Sequence, residues 1–187
     1  MSVSALAVLI GGVAVAGVAV ATNIIVPAAV QRRDVAALRR RAVERRAVAL
    51  TYDDGPGPRL TPRVLEVLAA HGAPATFFML GCRAERAPEL VGHLLEQGHD
   101  VGCHTRQHLN AWKSLPGRAV ADIDGGYRAM SKWMGPRAVF RPPYGKMTIV
   151  TRLAVRRRGA AIAWWTIDSG DTHATLPDPS LSLIHIS

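Results

Sequence analysis

The residues of this 187-residue chain best suited to chemistry come in pairs. Asp53 and Asp54 are adjacent carboxylates at the end of the apolar run Ala47-Val48-Ala49-Leu50-Thr51-Tyr52, and Gly55-Pro56 breaks the chain directly after them. Such a run reads as a buried strand whose C-terminal end presents both acids, which is where α/β folds place their chemistry. Neighbouring side chains on a strand face opposite ways, but at a strand end the backbone can bend and turn both into one pocket. Two carboxylates so close repel, so one carries a proton or both lie near a cation. Taken alone, the same letters also suit a turn leading into a helix. His104 and His108 are spaced i, i+4. On a helical turn that spacing puts two imidazoles on one face, able to hold one metal or simply to lie on the surface. Arg141-Pro142-Pro143-Tyr144-Gly145 is a rigid turn led by a guanidinium, and Asp168 and Asp171 follow the apolar run Ala161-Ile162-Ala163-Trp164-Trp165.

The elements that position these residues alternate. Thr61 is placed to cap, and Pro62 to begin, a helix in which Val64, Leu65, Val67 and Leu68 recur at helical intervals up to His71-Gly72. Residues 73–80 read as a second strand, 88–97 as a helix closed by Gly98, and 99–104 as a short strand delivering His104. A helix over 117–134, a strand over 138–141 that delivers Arg141, a helix over 149–158 and a strand over 160–167 complete the pattern. Strands alternating with helices argue for a parallel sheet or barrel.

Three motifs in order, Thr51-Tyr52-Asp53-Asp54-Gly55-Pro56, His104-Thr105-Arg106-Gln107-His108 and Arg141-Pro142-Pro143-Tyr144-Gly145, resemble those of the polysaccharide deacetylases, the NodB-homology domain of carbohydrate esterase family 4. The resemblance covers about residues 47 to 175. It implies a distorted (β/α) barrel that hydrolyses acetyl groups from a polysaccharide or oligosaccharide. It also implies that Asp54, His104 and His108 bind a divalent metal, most readily zinc, and that Asp53 is the general base, with Arg141 pairing with it and orienting it. The backbone N–H of Tyr144 would face the oxyanion, and Asp171 would tune an acid histidine. Asp168 and Asp171 match a fourth motif, but Thr172 stands where the family usually has Trp, which leaves one wall of the acetyl pocket without its usual residue.

The family's acid histidine ends a late strand, and Leu183-Ile184-His185 carries its letters. Residues 173–182 are too few for a crossover helix plus a strand, and Pro177 and Pro179 would interrupt a helix there. Residues 181–187 read as a sequencing adapter translated in frame. The expectation is therefore a deacetylase domain over 47–180 that is incomplete at its C-terminus, lacks its acid, and folds and turns over poorly, with His185 away from the two acids.

Residues 2–30 contain no charged side chain, a length suited to a membrane anchor, and 1–30 is expected to be a membrane anchor or a signal segment, the anchor being preferred. A cleaved signal peptide would open on a basic region, and none precedes the run. Residues 31–46 form a basic arm with Arg32, Arg33, Arg39, Arg40, Arg41, Arg45 and Arg46 against Asp34 and Glu44, which accounts for +5 of the net charge of +9. The arm suits either a helix lying along anionic headgroups or a solvated linker. With the charge concentrated there and no aromatic-basic interleaving, no nucleic-acid partner is expected. The positive-inside rule puts the domain in the cytoplasm, whereas the resemblance favours glycans outside. The expectation is a membrane-associated protein on the cell-envelope side. Cys82 and Cys103 lack a metal-binding spacing, and Cys103 reads as a small buried residue. A glycan-binding protein without activity is the alternative.

Overall fold

Five short apolar runs form parallel strands: β1 (Leu50–Gly55), β2 (Ala75–Met79), β3 (Asp100–Cys103), β4 (Val139–Phe140) and β5 (Ala161–Ile162), paired in the order β1-β2-β3-β4-β5. The computed structural model describes residues 12–13, 17–18, 20–135 and 139–169. Around the sheet lie α1 (Val26–Arg45), α2 (Thr61–Ala70), α3 (Gly81–Ala84), α4 (Pro88–Glu96), α5 (Pro116–Met130) and α6 (Ile149–Arg157). The alternation read from the sequence is therefore that of a parallel α/β fold. Among the described residues β1 and β5 are the outer strands and do not pair with each other.

Strand alternation divides the interior. On β2, Phe77 and Met79 point into one cluster with Leu65 and Leu68 of α2, Val91 and Leu94 of α4, and Met130 of α5. Leu65 and Leu68, like Val91 and Leu94, are three residues apart and so share one helical face. Phe78 points the other way, its ring under the Arg141 guanidinium at 4.0 Å. A second cluster joins Cys103, Ile123, Phe140, Met147, Val155, Ala160 and Trp164. Burial pushes the Cys103 thiol up to about 12, so it behaves as the small apolar residue expected, and both cysteines are free.

Several local readings need correction. Thr61 does not cap α2. It is the first helical residue, and its hydroxyl accepts the Gly57 N–H at 2.9 Å, bracing the turn after the two acids. The last strand is two residues long: Ala163 N–H still donates to Phe140 O, and the chain then turns to bury Trp164. The short α3 gave no periodic signal. The Thr148/Thr151 capping box that opens α6 was legible only as two threonines. The basic arm is part of a continuous helix, α1, which begins upstream of residue 31. Among the described residues no helix is long and apolar enough to cross a membrane. Residues 1–11, 14–16 and 19 of the expected anchor lie outside the described residues, as does the expected tail over 181–187.

Helix α5 approaches the loop after β3 so closely that a Cβ on Gly126 would lie 2.6 Å from the Thr105 carbonyl carbon. A Cβ on Gly117, near the start of the same helix, would lie within 4 Å of nothing among the described residues. Gly126→Ala should therefore lose about 1–3 kcal/mol in urea unfolding. Gly117→Ala should be neutral or gain up to about 1 kcal/mol. Equal effects at both sites would contradict the close packing of α5 on that loop.

Candidate metal centre and active site

Strand β1 delivers both acids to one place by means of a bulge. Thr51 and Asp53 are two residues apart and share a face, so Asp54 on a regular strand would point away. Pairing with β2 shifts register between Asp53 and Gly55, and Asp54 takes φ of 64°. The extra residue re-aims the second carboxylate. The Arg83 guanidinium, from α3, donates to the Asp54 carbonyl and holds the bulge from outside.

His104 and His108 are not on a helical turn, which corrects the sequence reading. They sit on an irregular loop after β3, and left-handed backbone at Thr105 (φ 67°) and His108 (φ 62°) folds it back on itself. The His108 N–H donates to Thr105 Oγ1 at 3.0 Å. Buried Asp122 of α5 accepts from Gln107 N–H at 2.7 Å with one oxygen and from Leu109 N–H at 3.0 Å with the other. Its own carbonyl takes the Arg106 N–H. Asp122 therefore grips the loop on both sides of His108.

The two imidazoles and Asp54 converge. His108 Nε2 lies 3.3 Å and His104 Nε2 3.6 Å from Asp54 Oδ1, and ligating atoms of the three residues all lie within 4.8 Å of one another. Ligand atoms about 2.0–2.1 Å from a tetrahedral metal lie about 3.4 Å apart, so these separations fit one ion. Asp54 Oδ1 is buried and takes no hydrogen bond among the described residues, although its side chain is half exposed. A buried carboxylate oxygen in that condition fits a cation. His104 Nδ1 lies 2.7 Å from the Arg141 carbonyl. The ring donates there, which leaves the Nε2 lone pair facing Asp54. Burial lowers the His104 pKa, outweighing the opposing pull of Asp53, and the ring stays the neutral imidazole a metal requires.

Arg141 ties the site together. It is 4% exposed, and its Nη1 donates to Asp53 Oδ1 at 2.8 Å and Thr51 Oγ1 at 2.9 Å. The Trp165 ring stands 5.7 Å from its guanidinium. Two prolines later, Tyr144 takes φ of 56°, with its half-exposed ring 4.5 Å from that of His108. The N–H groups of Gly145 and Lys146 are held by Pro142 and Pro143 carbonyls, while among the described residues none accepts that of Tyr144.

Of the residues singled out in the sequence, Asp53, Asp54, His104, His108, Arg141 and Tyr144 meet here. Asp168 is exposed, and Asp171, Thr172 and His185 lie outside the described residues. Sequence reasoning missed Thr51, Arg83, Thr105 and Asp122. Thr51 carried a signal, since it stands two residues before Asp53 on the same strand, whereas nothing marked Asp122 or Arg83. Asp122→Ala should weaken zinc binding about 10–100-fold by freeing the loop around His108. Competition against a chromophoric chelator measures this, and unchanged affinity would show that Asp122 does not position the ligand.

Comparison with known proteins agrees with this geometry. The sequence model of the polysaccharide deacetylase family matches residues 40–163. A peptidoglycan-N-acetylglucosamine deacetylase of Bacillus cereus is 39% identical over 119 residues, covering 64% of this chain and 56% of that protein. A chitooligosaccharide deacetylase of Bradyrhizobium is 36% identical over 129 residues, covering 67% and 58%. The chain thus spans less than two thirds of the length of these relatives. Among solved structures, a family 4 carbohydrate esterase from Streptomyces lividans in complex with acetate superposes with a TM-score of 0.63 at 29% identity, covering 68% of this chain and 67% of that one. The chain belongs to the polysaccharide deacetylase family.

Proposed function

We propose that the chain is a zinc-dependent hydrolase that removes N-acetyl groups from a glycan of the peptidoglycan or chitooligosaccharide kind, acting on the cell-envelope side of the membrane. The observation that carries this reading is the meeting of Asp54, His104 and His108 around an unpartnered buried oxygen, beside an Asp53 fixed by Arg141. One carboxylate and two imidazoles make a zinc set that leaves room for water and a substrate oxygen. The substrate class rests on the names of the relatives, whose peptidoglycan and chitooligosaccharide substrates both carry N-acetylglucosamine.

When bound, the metal supplies Lewis acidity, polarising a carbonyl and acidifying water. The protein's own groups do the rest. Arg141 engages Asp53 Oδ1, which leaves Oδ2 to take the proton of a water attacking the acetyl carbon. The Tyr144 N–H, not used within the described structure, is available to the oxyanion as the carbonyl becomes tetrahedral. The C–N bond then breaks, the proton held on Asp53 passes to the leaving sugar amine, and acetate departs. The Tyr144 ring beside His108 and the Trp165 ring near Arg141 offer apolar surfaces for a sugar or its methyl group.

Acetate release from N-acetylglucosamine oligomers by the zinc-loaded chain tests the proposal. Asp53→Asn keeps an oxygen for Arg141 and should cut turnover by about 100-fold or more while leaving bound zinc nearly unchanged. Asp54→Ala should lose the zinc as well. Equal zinc loss in both variants would mean that the two acids have been given each other's roles, and acetate release surviving Asp54→Ala would remove the metal from the reaction.

A further inference from the structure

The seven arginines of residues 32–46 have no part in the site, yet the structure fixes where they point. Helix α1 is fastened to the domain along one face only. Asp34 Oδ2 accepts from Arg152 Nη2 at 2.7 Å and from the Trp164 indole N–H at 3.4 Å, Val35 packs on the second core cluster, and Pro27 is buried. Of the two acids in the arginine-rich segment, Asp34 is turned inward and paired with Arg152, while Glu44 is exposed one turn from Arg40 and offsets part of the charge. On the far side, Arg32 and Arg39, and likewise Arg33 and Arg40, recur at seven-residue spacing and form an exposed double row two turns long. Val43, 71% exposed, and Ala29 and Ala36 lie between and beside these rows.

We propose that this outer face of α1 is a docking surface for a bilayer of anionic phospholipid. A straight helix of twenty residues is about 30 Å long and presents its charge along a line, which suits a continuous charged plane. The attraction is electrostatic: clustered basic residues beside an anionic leaflet each add to the binding. No aromatic side chain occurs in α1, so it lacks the stacking groups of single-stranded nucleic-acid binders. The uncharged, apolar residues 2–30 run directly into this helix. Because Asp34 clamps α1 to α6 and to Trp164, docking also orients the catalytic loops. Gln31 reaches within 3.3 Å of the Cβ position on Gly145, next to Tyr144. The lipid surface would therefore set the angle at which a glycan meets the site.

The test is co-sedimentation of the full chain with vesicles of phosphatidylcholine alone and of phosphatidylcholine mixed equally with phosphatidylglycerol. Residues 2–30 contribute to binding on both. The arginine face predicts an excess of about tenfold or more on the anionic vesicles at low salt, shrinking as salt is raised. Replacing Arg32, Arg33, Arg39 and Arg40 together with Gln should abolish that excess, replacing them with Lys should keep most of it, and both variants should retain the parent's circular dichroism. A control carrying Gln at the exposed Arg63, Arg86, Arg118 and Arg128 should keep the excess in full. Equal partition of the parent chain onto the two kinds of vesicle would overturn the proposal. So would an excess that survives the four α1 substitutions to Gln, or is lost equally in the control.

Discussion

The site depends on a buried guanidinium that must be neutralised. Arg141 is 4% exposed, and taking such a charge out of water costs several kcal/mol unless an anion and hydrogen-bond acceptors meet it. Asp53 and Thr51 of β1 do so on one side, and Phe78 offers its ring face below. The backbone of the same residue completes the connection. Its N–H donates to the Cys103 carbonyl at 3.0 Å, and its carbonyl receives the His104 ring at 2.7 Å. A single residue thus joins the acid-bearing strand, the histidine loop and the Tyr144 turn, three stretches distant in sequence. Removing the Asp53 charge would leave the guanidinium without its counter-anion, so the acid proposed as general base is also a structural anion.

The backbone is bent where the candidate ligands are. Among the described residues five non-glycine positions have positive φ, and Asp54, Thr105, His108 and Tyr144 are four of them. Left-handed backbone costs an L-residue roughly 1–2 kcal/mol, least for Asp, and such conformations persist where the surrounding contacts over-determine them. Here the contacts are explicit: Arg83 on the Asp54 carbonyl, Asp122 astride His108, and Thr105 Oγ1 on the His108 N–H. Gly126 lets α5 close on the Thr105 backbone without a side chain between them. The strain and its restraints together turn Asp54 and His108 towards His104, which continues the line of β3 with its N–H on the Met79 carbonyl.

The order of strands and helices, the buried faces of α2 and α4, and six residues of the site were legible from periodicity, Gly and Pro punctuation, and three short motifs. What was not legible depends on pairings between distant segments. The i, i+4 spacing of His104 and His108 suggested a helix because spacing alone does not report backbone twist, and the left-handed residues that replace the helix are an ordinary Thr and His. The β1 bulge appears only once β2 is alongside. Asp122 reads as one more polar residue of an amphipathic helix, and its carboxylate gains meaning only from the loop that folds over it. Asp34 likewise looked like a stray acid in a basic arm until Arg152 and Trp164 met it.

The central claim is that Asp54, His104 and His108 close on one metal ion, and zinc-edge X-ray absorption on the zinc-loaded chain measures this most directly. The account predicts a shell of nitrogen and oxygen ligands at about 2.0–2.1 Å with outer-shell scattering from two imidazoles, falling to one imidazole in His108→Ala. A spectrum without imidazole scattering, or one that His108→Ala leaves unchanged, would contradict it.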